Sequence, residues 1–348
     1  MTSIPPVPDR IETEAQLEDV LAEPSAADVE CAGRLEGDVL VLGAGGKMGP
    51  SLARRVHRAL ERAGARGRVF AASRFSSADA RRELDADGVR TVTCDLLDPA
   101  QIAALPRCPH VLFLAGRKFG TTDRTDLTWM TNTVVPAHVA EHFRDARLVV
   151  FSTGNVYPLV AVAGPASREE DVPVPVGEYA QSCLGRERVV EFVSRERGTR
   201  TLIYRLNYAV DLRYGTLVDV ARKVFAGDPV DLTVGVFNAI WQGDANGYAL
   251  RSLELCSSPP TVLNVTGPER IEVRAIAEWF GSAFGRSPRF VNSEGPVALL
   301  SDSSRCRALL GEPTVPLERL RRWVAHWVQS GGASLNKPTH FEVADGRF

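Results

Sequence analysis

Short runs of consecutive apolar residues alternate along this chain with longer stretches in which apolar positions recur at helical spacing. Residues 39–42, 68–73, 89–94, 111–115, 148–152 and 201–206 read as strands that are apolar on both sides rather than on one. Strands of that kind belong to a parallel sheet covered on both faces, and the intervening helical patterns supply the covering layers. The predicted helices span 13–21, with Leu17, Val20 and Leu21 on one face, then 51–60, 125–143, 178–194 and 319–328. In the last of these Trp323 and Trp327 share the core side. An α/β, doubly wound sheet is therefore expected, followed by a smaller C-terminal α/β region.

The first strand runs directly into Gly43-Ala-Gly45-Gly46-Lys47-Met48-Gly49 and then a helix. Strand, glycine turn and helix in this order form the entry of a dinucleotide-binding Rossmann unit. Gly43 permits the turn off the strand, and Gly45 and Gly46 let backbone N–H groups approach a diphosphate. Gly49 allows the helix to pack closely, while the helix N-terminus offers unpaired N–H groups to the phosphates. In a doubly wound sheet, ligands bind just past the carboxyl ends of the strands. Asp95 follows the third strand, where its carboxylate can accept from an adenine amino group or simply close a turn. Leu114-Ala115-Gly116 follows the fourth and leaves room for a ribose or a nicotinamide.

Composition narrows the function classes. Hydrophobic residues make up 44% and charged residues 24%, and the net charge is −2, which points away from nucleic-acid and membrane-surface binding. No apolar run reaches the roughly 20 residues of a membrane span. The N-terminus lacks the cationic-then-apolar pattern of a signal peptide. Six scattered cysteines without a Cys-x-x-Cys pair predict no metal centre, no disulfide framework and a reducing cytoplasm.

With Asn132, Ser152-Thr153-Gly-Asn155-Val-Tyr157, Tyr179 with Glu187 eight residues on, Arg205-Leu-Asn207 and Asn264-Val-Thr-Gly267, the chain resembles the extended short-chain dehydrogenases/reductases. Within them it is similar to the NAD-dependent epimerase/dehydratase family, over about residues 37–330. The resemblance implies a Rossmann domain (37–207) and a substrate-binding region (208–330); residues 1–36 precede the first strand as an N-terminal extension, and the polar tail (331–348) is expected to be loose or to reach a partner subunit. It implies cofactor contacts from Gly43, Gly45, Gly46, Lys47, Met48, Gly49, Ser73, Arg74, Asp95, Leu96, Leu114, Ala115, Gly116, Asn132, Tyr179 and Asn207. Asn155, Asn207 and Arg213 become substrate candidates. A homodimer through helices 125–143 and 178–194 is also implied, with Val134, Val135, Val139, Val189, Val190 and Val193 beyond the inward faces.

The family's catalytic pair is Tyr-x-x-x-Lys, assisted by a Ser or Thr. Here Tyr179 and Thr153 occupy the tyrosine and hydroxyl positions, but the lysine position holds Cys183. Lys118, after the fourth strand, and Arg186, two helical turns beyond Tyr179, are candidates for the missing charge; Cys183 itself is a small core residue or, alternatively, a nucleophile. Pro158 stands where a glycine is usual, and no Gly-Pro turn follows Asn207, a departure from the sugar-nucleotide enzymes. Ser73-Arg74, with no carboxylate at the end of the second strand, favours NADP over NAD, and Lys47 adds a cation. Asp244 is expected to cap the helix after it. The chain thus reads as an NAD(P)-dependent enzyme acting on a small hydroxy or keto compound. The rival reading is a dinucleotide-binding redox sensor or scaffold without turnover.

Overall fold

The computed structural model describes residues 7–337, 339, 341 and 342; Pro5, Pro6 and the chain end from Val343 lie outside them. Seven parallel strands form the central sheet: β1 (Val39–Leu42), β2 (Val69–Ser73), β3 (Arg90–Thr93), β4 (His110–Phe113), β5 (Arg147–Thr153), β6 (Arg200–Leu206) and β7 (Thr261–Val265). Their order is β7-β6-β5-β4-β1-β2-β3, so the winding reverses between β1 and β4. Six of the strands coincide with the apolar runs. The seventh comes from beyond residue 207, so the C-terminal region completes the sheet.

Both faces of the central strands are covered, which explains why these strands do not alternate in polarity, whereas the edge strand β3 is half-exposed and mostly polar. Val39 and Val41 face one layer, with Ala53 and Val56 of the helix Gly49–Arg62 and Ala249 of the helix Gln242–Arg251. Leu40 and Leu42 face the other, with Val139 and Val190. A second core, under the helices Thr216–Ala226, Val273–Phe284 and Leu317–Gln329, holds Trp323 and Trp327 as expected.

The N-terminal extension carries two helices, Glu14–Ala22 and Ala26–Arg34. The second is announced by a capping box that the pattern reading passed over: Ser25 accepts from Asp28 N, and the Asp28 carboxylate accepts from Ser25 N. Asp28 is fully buried, accepts from Arg55 at 2.6 Å and forms an ion pair with Arg251 at 2.9 Å, tying the extension into the main domain.

The predicted helix over 125–143 contains a π-turn, Met130–Val134, between Thr125–Trp129 and Val135–His142. Pro136 has no N–H to offer the Asn132 carbonyl that regular α-geometry would pair with it. Four of the six valines assigned to a subunit interface, Val135, Val139, Val190 and Val193, are buried within the chain. The exposed apolar side chains on these helices are instead Trp129, Met130 and Phe192.

Candidate active site

The glycine turn lies where the winding reverses, at the carboxyl ends of β1 and β4. Gly43 has φ +86°, and a Cβ there would come within 2.6 Å of the Ala115 nitrogen. A Cβ on Gly49 would lie 2.5 Å from the Ala44 Cα, so the helix Gly49–Arg62 meets the turn backbone to backbone. That helix has no side-chain cap, which leaves its first N–H groups available to an anion. A cradle that a side chain would fill, beside an uncapped helix end, fits a dinucleotide diphosphate.

On either side of the turn the cleft has two halves, of about 490 and 630 Å³. Ser73, Arg74, Asp95, Leu96 and Ala115 line the first, the adenosine side. Lys47, Met48, Gly49, Thr153, Asn155, Tyr179 and Asn207 line the second, and Gly43, Gly45, Gly46, Leu114, Gly116 and Lys118 border both. Asp95 accepts from Leu97 N at 3.0 Å and so also closes its turn. Arg74 is exposed and makes no hydrogen bond or ion pair among the described residues.

Several residues lie elsewhere than the sequence suggested. Lys47 is on the second half, donating to the Ala209 carbonyl at 2.8 Å and standing 4.4 Å from the Tyr214 ring centroid, so it adds no cation beside Arg74. Arg213 does not line the cleft; its guanidinium pairs with Glu18 at 2.7 Å and Asp211 at 3.1 Å. Asp244 sits inside the first turn of its helix rather than capping it, and its carboxylate accepts from Thr314 and Val315. The described residues of the tail pack on the chain: Leu335 and Thr339 form part of the cleft wall, and Phe341 is buried against Phe237.

Tyr179 faces the second half from the start of the helix Gly177–Arg197, with its hydroxyl hydrogen-bonded to the Thr153 hydroxyl and the Cys183 thiol. Cys183 is 1% exposed and packed among Val156, Tyr157 and Leu184. Burial pushes its thiol up from the ordinary range, which makes it a neutral packing group rather than a nucleophile. Burial likewise raises the Tyr179 phenol well above its usual value, and the cation opposing that rise is Arg186.

Arg186 is 4% exposed and fixed on three sides. Its Nε donates to the Asn132 carbonyl at 3.1 Å, one Nη to the Phe151 carbonyl at 2.6 Å and the other to Asn132 Oδ1 at 2.9 Å. The acceptor on Asn132 is the carbonyl that Pro136 cannot serve, so the proline, the π-turn and the arginine are parts of one arrangement. Asn132 is fully buried and does not line the cleft. Its amide also accepts from Arg117 N at 2.8 Å and donates to Ser182 Oγ at 3.0 Å, so it positions the loop after β4 instead of touching a ligand. Among the described residues Arg186 has no carboxylate partner, which leaves its charge directed at the cluster of Tyr179 and Cys183.

Beneath this cluster runs a second buried network. Glu187 pairs with Arg205 at 2.7 Å and accepts from Ser152 Oγ at 2.5 Å; Arg205 donates to the Tyr157 hydroxyl, which donates to Asn264 Oδ1 at 2.9 Å. Residues that read only as motif letters thus clamp β5, β6 and β7 to the helix Gly177–Arg197.

The fold thus presents a glycine-cradled cleft at the reversal of the winding, with a Thr–Tyr pair at its far end. Residues 39–210 of the chain match the model of the NAD dependent epimerase/dehydratase family. No curated protein matches the chain. Among solved structures it is similar to the UDP-glucuronic acid 4-epimerase of Bacillus cereus in complex with NAD (18% identity, 84% of this chain and 98% of that one, TM-score 0.69). The UDP-Glc/GlcNAc 4-epimerase of Campylobacter jejuni is similar to the same degree (20% identity, 84% and 99%, TM-score 0.69).

Proposed function

We propose that this protein is an NAD(P)-dependent enzyme that reduces, epimerises or dehydrates a small hydroxy or keto compound of the sugar type. The observation that carries the reading is the Thr153–Tyr179 pair opening onto the same cleft as the glycine turn. Sugar-nucleotide epimerases among the structural neighbours support it at the level of the fold. A nicotinamide dinucleotide bound there supplies a hydride donor or acceptor at C4. Thr153 orients the substrate oxygen, and Tyr179 transfers a proton at that oxygen. Arg186 stands in for the absent lysine from beneath the tyrosine, while Lys118 stands in the cleft wall. Because burial keeps the Tyr179 phenol protonated at neutral pH, proton donation to a carbonyl is favoured over alcohol oxidation. The non-catalytic reading rests on Cys183 at the lysine position; turnover that depends on Tyr179 would rule it out.

NADP is the proposed partner of Arg74, since a guanidinium suits a 2′-phosphate and no carboxylate ends β2. Arg74→Asp is expected to weaken NADP binding by about tenfold or more, with a much smaller effect on NAD, as read by calorimetry. Equal effects on the two dinucleotides would remove the assignment.

A homodimer is proposed through the exposed Trp129, Met130 and Phe192, and the six free cysteines support a reducing, cytoplasmic setting. Light scattering at micromolar concentration should give twice the chain mass, and Phe192→Glu should reduce it. A monomer at that concentration would overturn the proposal.

A further inference from the structure

We infer that the second half of the cleft is built for an anionic group, a phosphate or a carboxylate on the substrate, held by Lys47, Lys118 and Lys337. The inference rests on the proposed function and names the class of substrate that site takes. Of the 41 basic residues only Lys47, Lys118, Lys223 and Lys337 are lysine. Three of these four line this one cleft. They come from three separate places in the chain: the glycine turn, the loop after β4 and the C-terminal segment. Compact ammonium charges that converge from distant sequence, in a chain that otherwise uses arginine, mark a site that needs point charges.

The geometry brings them together. Lys118 and Lys337 each stand 5.7 Å from the centroid of the same ring, Phe119, and Lys47 lines the same half of the cleft. The helix Thr216–Ala226 begins at the same wall with no side-chain cap, and Gly215 and Thr216 line the cleft there. The Thr216 hydroxyl is fully buried and has no hydrogen-bond partner among the described residues. A helix end, an unused hydroxyl and three ammonium groups form an anion's coordination set.

The nearby carboxylates are otherwise engaged. Asp211 accepts from the Arg213 and Tyr214 N–H groups and pairs with the Arg213 guanidinium. Asp219 accepts the N–H and hydroxyl of Thr339. Through this contact, and through Arg222 donating to the Gly332 carbonyl, the C-terminal segment is fastened across the cleft and delivers Lys337. The desolvation of Lys47 and Lys118 is a cost that a bound anion offsets. Without an anion, burial brings Lys47 and Lys118 each down to about 8. Lys47 faces Asp211, Asp219, Arg213 and Lys118, and Lys118 faces Asp219 and Cys183. Anion affinity should therefore fall as pH rises past about 8, where these lysines lose their charge.

The test uses protein saturated with dinucleotide, so that the glycine turn is already filled. Calorimetric titration with inorganic phosphate, oxalate and uridine diphosphate, beside neutral glycerol, should show binding of the anions alone. Lys337→Gln, on an exposed side chain, should weaken that binding by about tenfold, and Lys118→Gln by at least as much. Tighter binding of oxalate would identify a carboxylate, and tighter binding of uridine diphosphate a nucleotide phosphate. No anion binding, or binding unchanged in both variants, overturns the inference. Failure of the dinucleotide itself to bind is a different result and refutes the proposed function instead.

Discussion

Tyr179→Phe is expected to lower turnover by about 10²- to 10⁴-fold, the range for losing one positioned acid–base group, while the fold and dinucleotide binding survive. The variant removes one oxygen. The ring keeps its place at the head of the helix Gly177–Arg197, and the two groups left without it, the Thr153 hydroxyl and the Cys183 thiol, each retain some accommodation. Thr153 still meets Asn155, accepting from its backbone N–H at 3.2 Å, and a buried thiol is a tolerant packing group. The structural cost is therefore about 2 kcal/mol, that of two neutral hydrogen bonds, one of them to a thiol. The loss should appear in kcat, with dinucleotide affinity unchanged. Turnover that is intact in Tyr179→Phe would mean that the proton moves elsewhere and that the inherited Thr–Tyr chemistry does not operate.

Gly46→Glu is expected to reduce dinucleotide affinity by at least about 10²-fold without unfolding the protein. Gly46 differs from its neighbours in the turn. Gly43 adopts a positive φ and Gly49 abuts the Ala44 backbone, so side chains at those positions strain the structure itself. A Cβ at Gly46 meets only the Gly43 carbonyl, at 3.3 Å, and the residue is exposed to the cleft. Glutamate there projects into the diphosphate's space and adds like charge where the uncapped helix end would otherwise stabilise an anion. Thermal unfolding should stay near that of the parent protein, and calorimetry should lose the binding heat. Retained affinity would show that the diphosphate does not cross this turn.

Strands, glycine turn and motif residues were readable because each obeys a local rule. Strands buried on both faces must be continuously apolar, and a diphosphate needs backbone without side chains in its way. What was hidden depended on long-range meetings. Ser25 and Asp28 did write a local signal for the missed helix, but Asp28 gains its main role from Arg55 and Arg251, 27 and 223 residues away. Lys47 lies inside the motif, yet which half of the cleft it serves is decided by Ala209 and Tyr214. Arg213 looked like an anion binder because the glutamates that claim it sit on the N-terminal helix Glu14–Ala22. Arg186 was visible as a cation on the right helix face. Its fixed place beneath Tyr179 required the carbonyl released by Pro136 on another helix. The tail's part in the cleft was the least readable, since Leu335, Lys337 and Thr339 follow no periodic pattern; the scarcity of lysine was the one clue to it.

The central claim is that one cleft joins the glycine turn to Tyr179 through a nicotinamide dinucleotide. A crystal structure of the protein grown with saturating NADP or NAD tests this most directly. The account predicts the diphosphate across Gly45 and Gly46 at the start of the helix Gly49–Arg62, the adenosine toward Arg74 and Asp95, and the nicotinamide beside Tyr179 and Thr153. A dinucleotide bound elsewhere, or a cleft that stays empty at saturating concentration, would contradict it.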